Sequence, residues 1–221
     1  MELLVVIVII IVMLSLLLPS LGRARESAKV ASCANNLGQV AKALVAYCNE
    51  NDDRFPQISS LAAGGDIWDA KILPYMDNDY RAFRCPSDNL GGKSGNLYPR
   101  SYAANGGVNY SSGMGRYPFG GFGSPPASIQ SLRVGDIDAA QGDIILLSER
   151  PGVTDKPTRT YSTPRSYVTD FSFCSQDEIP SFMHKSAEGG NYLMASFAVR
   201  YRILEEIDRT VTSTNYWFVE Y

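Results

Sequence analysis

The first residues constrain this chain more than any other part of it. Met1 is followed by one carboxylate, Glu2, and then by a run at 3–18 that is apolar apart from Ser15; Pro19, Ser20 and Leu21 close it. A helix built from this run has no polar face, so it must be covered by lipid or by other helices. About 20 apolar helical residues cross the hydrocarbon of a bilayer, so the run is membrane-compatible. A lone acid at its tip is expensive in lipid and is therefore a functional candidate. The run is longer than the apolar core of a cleaved secretory signal, lacks basic residues before it and has no A-x-A-like site after it. Cleavage after it is not expected.

The helical pattern does not stop at Leu21. Val30, Cys33/Ala34, Leu37, Val40/Ala41, Leu44 and Cys48 recur at three- and four-residue spacing, which makes one apolar stripe on an otherwise polar helix. Pro19 can kink the helix at the junction, because it lacks an N–H and crowds the preceding turn. The polar stretch 49–53 and the Phe55-Pro56 pair then end it. The expectation is one helix of about 50 residues, about 75 Å long. Arg23, Arg25 and Lys29 fall where it would leave a membrane. They fit headgroup contact and a solvated helix face equally.

Beyond Pro56 the texture changes to Gly, Pro, Ser, Asn and Tyr. Residues 68–76 suggest a short helix capped by Pro74, and 82–88 an extended piece entering a turn. Residues 90–126 read as a long loop region of the functional or interface-forming kind. The clearest central strand is 143–149, short, apolar and β-branched. Residues 191–196 and 199–203 suggest a hairpin, and 210–221 a final strand. The chain is thus expected to be α+β. A hydrophobic stalk (1–21) continues into the amphipathic half of the same helix (22–52), which packs on a globular, loop-rich domain with a small antiparallel sheet (53–221).

The net charge of −3 argues against nucleic acid, which requires clustered Lys and Arg. The cysteines, Cys33, Cys48, Cys85 and Cys174, form no C-x-x-C pair, and His184 is the only histidine. A structural zinc site, which draws on clustered Cys and His, is not expected. An even cysteine count beyond a membrane segment suggests disulfides in an oxidising compartment, with buried free thiols as the alternative. Cys33 and Cys48 lie about 22 Å apart along one helix, too far to bond each other. His184 with Glu188 or Asp170, and Ser148 beside Glu149, offer acid–base and nucleophile chemistry, but without a context such as Gly-x-Ser-x-Gly. A lone loop histidine is more often a surface residue, and no enzyme is expected. The carboxylates at 49–53 and 135–138 lack the D-x-D-x-D-G calcium pattern. Calcium is therefore a minor alternative, and the expected cofactor set is empty.

Glu2-Leu3-Leu4-Val5-Val6-Ile7-Val8-Ile9-Ile10, with Leu16-Leu17-Leu18-Pro19 after it, resembles the N-terminal segment of type IV pilin-like proteins. The proline in that family lies seventeen residues after the glutamate, as Pro19 does after Glu2. Further along, Ser32-Cys33-Ala34-Asn35-Asn36-Leu37-Gly38-Gln39, Phe83-Arg84-Cys85-Pro86-Ser87-Asp88 and Ser101-Tyr102-Ala103-Ala104-Asn105 are similar to the pseudopilin-G-like branch common in planctomycetes. Two features depart from the family. Its glutamate is the fifth mature residue, so Met1 would correspond to the fourth. Its C-terminal His-x9-Asp-Gly motif is degenerate here: the spacing after His184 is longer, and Ser196-Phe197 stand where Asp-Gly would.

The resemblance implies a pilin fold and a structural subunit of an extracellular type IV pilus-like or type II secretion pseudopilus filament. Such subunits wait in the inner membrane, are processed and methylated by a prepilin peptidase, and are assembled by dedicated machinery into a helical homopolymer. It implies that Glu2 sets register against a neighbour's N-terminal amine and that the helix weakens near Pro19. Leu3, Leu4, Val5, Val6, Ile7, Ile10, Leu14 and Leu17 would pack the filament core. Because Cys33 and Cys85 both fall in family-like motifs, it also implies the pairs Cys33–Cys85 and Cys48–Cys174. The alternative is a single-pass, membrane-anchored periplasmic or surface binding protein that does not polymerise.

Overall fold

The computed structural model describes residues 2–57, 68–87, 101–104, 107–108, 118–119, 121–122, 131–137, 144–149, 184, 189–203, 207–208 and 218–219. One helix, α1 (Glu2–Glu50), runs unbroken through 49 residues, Pro19 included. The missing N–H of Pro19 leaves the Ser15 carbonyl without its helical donor. The hydroxyls of Ser15 and Ser20 donate back to the carbonyls of Val12 (2.7 Å) and Leu17 (2.8 Å). The apolar side chains of residues 3–21 point outward on every face and are 49–76% exposed. From Cys33 onward one stripe turns inward: Cys33, Leu37, Val40, Ala41, Leu44 and Cys48 are all buried. α1 is therefore long and apolar enough, by length and composition, to cross a membrane, and only its second half is packed by its own chain.

α1 ends in a sharp reversal. Asp52 and Asp53 adopt left-handed conformations (φ 53° and 58°), and the N–H of Asp53 returns to the Cys48 carbonyl. Leaving the helix, the chain pairs with 131–137: Phe55 N–H donates to Leu132 O at 3.0 Å, and Val134 N–H to Asp53 O at 2.8 Å. This brings together the two acidic stretches weighed for calcium. Asp136 is used locally, its carboxylate accepting from the Arg133 N–H at 3.2 Å, and Asp138 lies outside the described residues.

The main sheet is antiparallel in the order β1-β4-β5-β6, formed by β1 (Tyr102–Ala104), β4 (Ile145–Glu149), β5 (Gly189–Met194) and β6 (Val199–Ile203). Two further strand pairs form, β2 (Gly107–Val108) with β3 (Gly121–Phe122) in parallel and β7 (Ile207–Asp208) with β8 (Phe218–Val219) antiparallel. α1 lies against β5 and β6 on one face of the sheet. Leu146, Leu147 and Leu193 meet the helix stripe there, while Ile145, Tyr192 and Met194 form a second cluster. A register shift between Ile145 and Leu147 lets two consecutive leucines join the main core. An edge-to-face aromatic group, Trp68 with Phe83 and Phe119, closes one end.

Local elements differ from expectation in places. The helix expected at 68–76 is α2 (Trp68–Ile72) followed by a 3-10 turn at Leu73–Met76, where Pro74 occupies the start of the tighter turn rather than capping a helix. The extended piece expected at 82–88 begins inside a 3-10 turn, Tyr80–Phe83, opened by the Asp79 carboxylate accepting from the Arg81 N–H. The β5–β6 hairpin turns at Ser196 and Phe197. Phe197 adopts φ 60°, which favours glycine, and its ring packs 6.1 Å from that of Phe55. Gly189 is required by close approach, since a Cβ there would run into the Arg202 carbonyl oxygen of β6.

Candidate functional site

Where α1 crosses the sheet, side chains distant in sequence converge on one imidazole. α1 contributes Glu26 and Cys33, which are seven residues apart and so share a helix face. The segment after the Tyr80–Phe83 turn contributes Cys85 and Ser87. Glu149 closes β4, and Asn191 on β5 projects toward the helix. Cys33 and Cys85 are joined by a disulfide with Cα atoms 5.2 Å apart, and the Asn36 side chain donates to the Arg84 carbonyl at 2.8 Å. The helix face is thereby fixed to the segment that carries Ser87.

His184 is fully buried at the centre of this group. Its Nδ1 lies 3.0 Å from Ser87 Oγ and 3.2 Å from Glu26 Oε1. Its Nε2 lies 3.3 Å from Glu149 Oε2 and 3.7 Å from Cys85 Sγ. Asn191 Nδ2 donates to Glu149 Oε1 (2.9 Å) and to the Val30 carbonyl (3.1 Å), holding the carboxylate against the helix. Among the described residues Glu149 Oε2 is buried without a hydrogen bond of its own, for all its nearness to Nε2.

Burial opposes a charge on His184, but hydrogen bonds and charges from Glu149 and then Glu26 outweigh it and raise its pKa above 6.5. Glu26 is the converse case. Its partial burial raises its pKa, but bonds from His184 and Ser87 and the charge of Lys29, 3.5 Å away, bring it below 4.5. Once protonated, the imidazole stands between two carboxylates, Glu26 on Nδ1 and Glu149 on Nε2.

Hydroxyl, imidazole and carboxylate stand here in the order of a nucleophile, base and orienting acid. Ser87 (6% exposed), His184 and Glu149 are buried, and Glu26 already receives the Ser87 hydroxyl at 3.2 Å. Buried, closely spaced donors of this kind suit holding a proton or a cation.

The expectation that His184 is a surface residue is corrected, because two carboxylates make its burial affordable. Its expected companions Glu188 and Asp170 lie outside the described residues. Ser148 is buried, and its hydroxyl has no hydrogen-bond partner among the described residues. Of the second disulfide expected, Cys48–Cys174, only one partner lies among the described residues. Cys48 is a free thiol facing the apolar core, where burial and then the Asp53 charge push its pKa up to about 11; Cys174 lies outside the described residues. Glu2 is the first residue of α1, with its side chain outside the described residues. Leu3, Leu4, Val5, Val6, Ile7, Ile10, Leu14 and Leu17 are exposed along the helix and remote from the His184 group.

Sequence reasoning missed Glu26, Ser87 and Asn191 as site residues, and the role of Glu149. Two signals were present. Glu26 continues the stripe of Val30, Cys33 and Leu37 toward the N-terminus. Glu149 ends an apolar strand, where a buried acid requires a partner.

In fold class the chain is an α+β protein with a long N-terminal helix. No family model matches it, and searches of curated proteins and of solved structures return no match.

Proposed function

We propose that this chain is a structural subunit of a type IV pilus-like or pseudopilus filament, held in the inner membrane before assembly and at the cell surface or outside afterwards. The observation that carries this reading is the division of α1. One continuous helix is packed by its own domain from Cys33 to Cys48 and exposes apolar side chains on all faces at 3–21. A helix of the second kind is satisfied by lipid or by identical helices, and a head-to-tail contact repeated by a screw operation builds an open filament.

Two features of the chain support it further. The Glu2-to-Pro19 spacing is that of the pilin-like N-terminal segment, in which the acid pairs with a neighbour's N-terminal amine. Such pairing makes an acid tolerable inside a bundle. Phe197 takes the left-handed conformation that an Asp-Gly turn would give to glycine, at the position where the related motif carries that pair. In this reading the fold is a pilin fold, and the partners are sister subunits, membrane lipid, a prepilin peptidase and its assembly machinery.

Electron microscopy of the full chain, expressed with that machinery and sheared from cells, tests the proposal. Helical filaments are expected, together with at least a tenfold loss of assembled protein in Glu2→Ala. Monomers alone, with Glu2→Ala changing nothing, overturn it in favour of a single-pass anchor.

A further inference from the structure

The Cys33–Cys85 disulfide does not lie apart from the charged group. Both sulfurs, His184 and Glu149 each offer one ligand atom, and these atoms all lie within 4.8 Å of one another. We propose that the reduced chain binds a single divalent zinc-type cation here, through the thiolates of Cys33 and Cys85, Nε2 of His184 and the carboxylate of Glu149. Closing the disulfide then excludes the metal.

The spacing suits the ion. Zn–S bonds of about 2.3 Å and Zn–N or Zn–O bonds of about 2.0 Å set neighbouring ligand atoms of a tetrahedron about 3.3–3.8 Å apart. The Cys85 Sγ to His184 Nε2 distance is 3.7 Å, and Nε2 to Glu149 Oε2 is 3.3 Å. These two distances already have the length of edges of such a polyhedron, and the two sulfurs, joined in the disulfide, must separate to make another. Among the described residues Glu149 Oε2 is buried without a hydrogen bond and has only the ion-pair contact with Nε2, so a cation would meet an acceptor with room for a further partner. A Cβ on Gly190 would come 3.3 Å from that oxygen, so glycine keeps its side open.

The surroundings are those of a metal-binding histidine. With Nε2 turned to the metal, Nδ1–H faces Glu26 and Ser87. A carboxylate behind the imidazole fixes its tautomer and raises its basicity as a ligand. Asn191 does the same for Glu149 through its 2.9 Å hydrogen bond. Two thiolates and a carboxylate around a dication leave one negative charge, with the imidazole neutral.

The balance of the step is simple. A dithiol or phosphine reductant gives two electrons to the S–S bond, and each sulfur takes a proton. Binding the dication releases both protons. Reoxidation by a disulfide-bearing partner removes two electrons, re-forms the bond and frees the metal.

The test uses the full chain in detergent with Cys48→Ser and Cys174→Ser, which leaves only the site thiols. Cobalt(II) is titrated into this chain, phosphine-reduced and oxidised in parallel. One cobalt per reduced chain is expected, with a thiolate charge-transfer band and tetrahedral visible bands that zinc abolishes; the oxidised chain gives neither. Glu26→Gln is expected to weaken cobalt by about tenfold to a hundredfold, and Glu149→Gln and His184→Ala by more. No cobalt uptake by the reduced chain overturns the proposal. So does an unchanged band in Cys33→Ser, or unchanged affinity in both Glu149→Gln and His184→Ala. The comparison of reduced with oxidised protein needs no substitution at the site, so a misfolded variant cannot rescue or sink it.

Discussion

The two halves of α1 share one backbone and one set of helical hydrogen bonds, yet one is exposed on all faces and the other is packed on a core. At 3–21 every apolar side chain points away from the protein; at 33–48 the apolar positions form a single buried stripe. The comparison teaches that the length of this helix is not set by its domain. Packing requires only the second half, and the domain would keep its core if the first were absent. The first half answers to a different environment. Substitutions in one half should therefore leave the measurements that report on the other unchanged.

The largest test of that separation is the disulfide, which fastens the packed half to the segment after the Tyr80–Phe83 turn. It closes a 52-residue separation, for which loop-closure entropy alone gives about 4 kcal/mol. Cys33→Ser is expected to lower domain stability by about that amount in denaturant unfolding. Partitioning of the chain into lipid vesicles should not change. A shift in partitioning would mean that the two halves are coupled through the domain.

A smaller effect is expected from cutting one side chain in each half. Leu44 is fully buried in the main core, so Leu44→Ala should cost about 3 kcal/mol of domain stability. Leu14, half-exposed on the apolar half, should cost the domain nothing when changed to Ala. It should instead weaken vesicle binding by about 1–2 kcal/mol, the transfer energy of the lost side chain. Equal domain effects from both substitutions would break the comparison.

Much of this division was legible in the sequence, and the reason is range. The all-round apolar run, the stripe from Val30 to Cys48, the β4 strand and the β5–β6 hairpin are local patterns of period 3.6 or 2. The His184 group is not local. His184 meets Glu26 across 158 residues and Glu149 across 35, and Asn191 reaches the Val30 carbonyl across 161. No spacing rule covers such contacts, and a single histidine without a neighbouring ligand motif reads as surface. Cys48 shows the same limit from the other side. Its place on the apolar stripe is as consistent with a packed thiol as with a bridge; in the fold it is a buried thiol, and Cys174 lies outside the described residues.

The pH response sharpens the comparison further, because His184 and Glu26 titrate against each other in the buried group and not on the apolar run at 3–21. His184, raised above 6.5, contributes stability that is fully present below 6.5 and is lost as pH rises through its folded-state value. Glu26, lowered below 4.5, contributes stability that is present above 4.5 and is lost as pH falls through its folded-state value. Both contributions are in place between about 4.5 and 6.5, with Glu149 and Glu26 facing the imidazole and Lys29 beside Glu26. Thermal unfolding of the oxidised chain should peak in that window. Glu149→Gln should flatten the alkaline limb, and vesicle binding of the apolar half should not follow the same profile. An unchanged alkaline limb in Glu149→Gln would remove His184 as its cause.

The smallest domain effect is expected at the junction. Pro19 is exposed and lies within the apolar half, before the buried stripe begins. Its ring removes the donor that the Ser15 carbonyl would receive, and proline in a helix interior costs about 3 kcal/mol relative to alanine. That cost falls on the helix around 15–19, where Ser15 and Ser20 already return their hydroxyls to carbonyls one turn back. Pro19→Ala should therefore slow amide exchange from Ser15 to Leu21 while leaving the thermal midpoint of the domain unchanged. If the domain were stabilised as well, the strain at Pro19 would have to pass along α1 past Glu26 into the core. The two halves would then be one mechanical unit with two surfaces, and the exposed half would be positioned by the domain rather than by its lipid or helical surroundings.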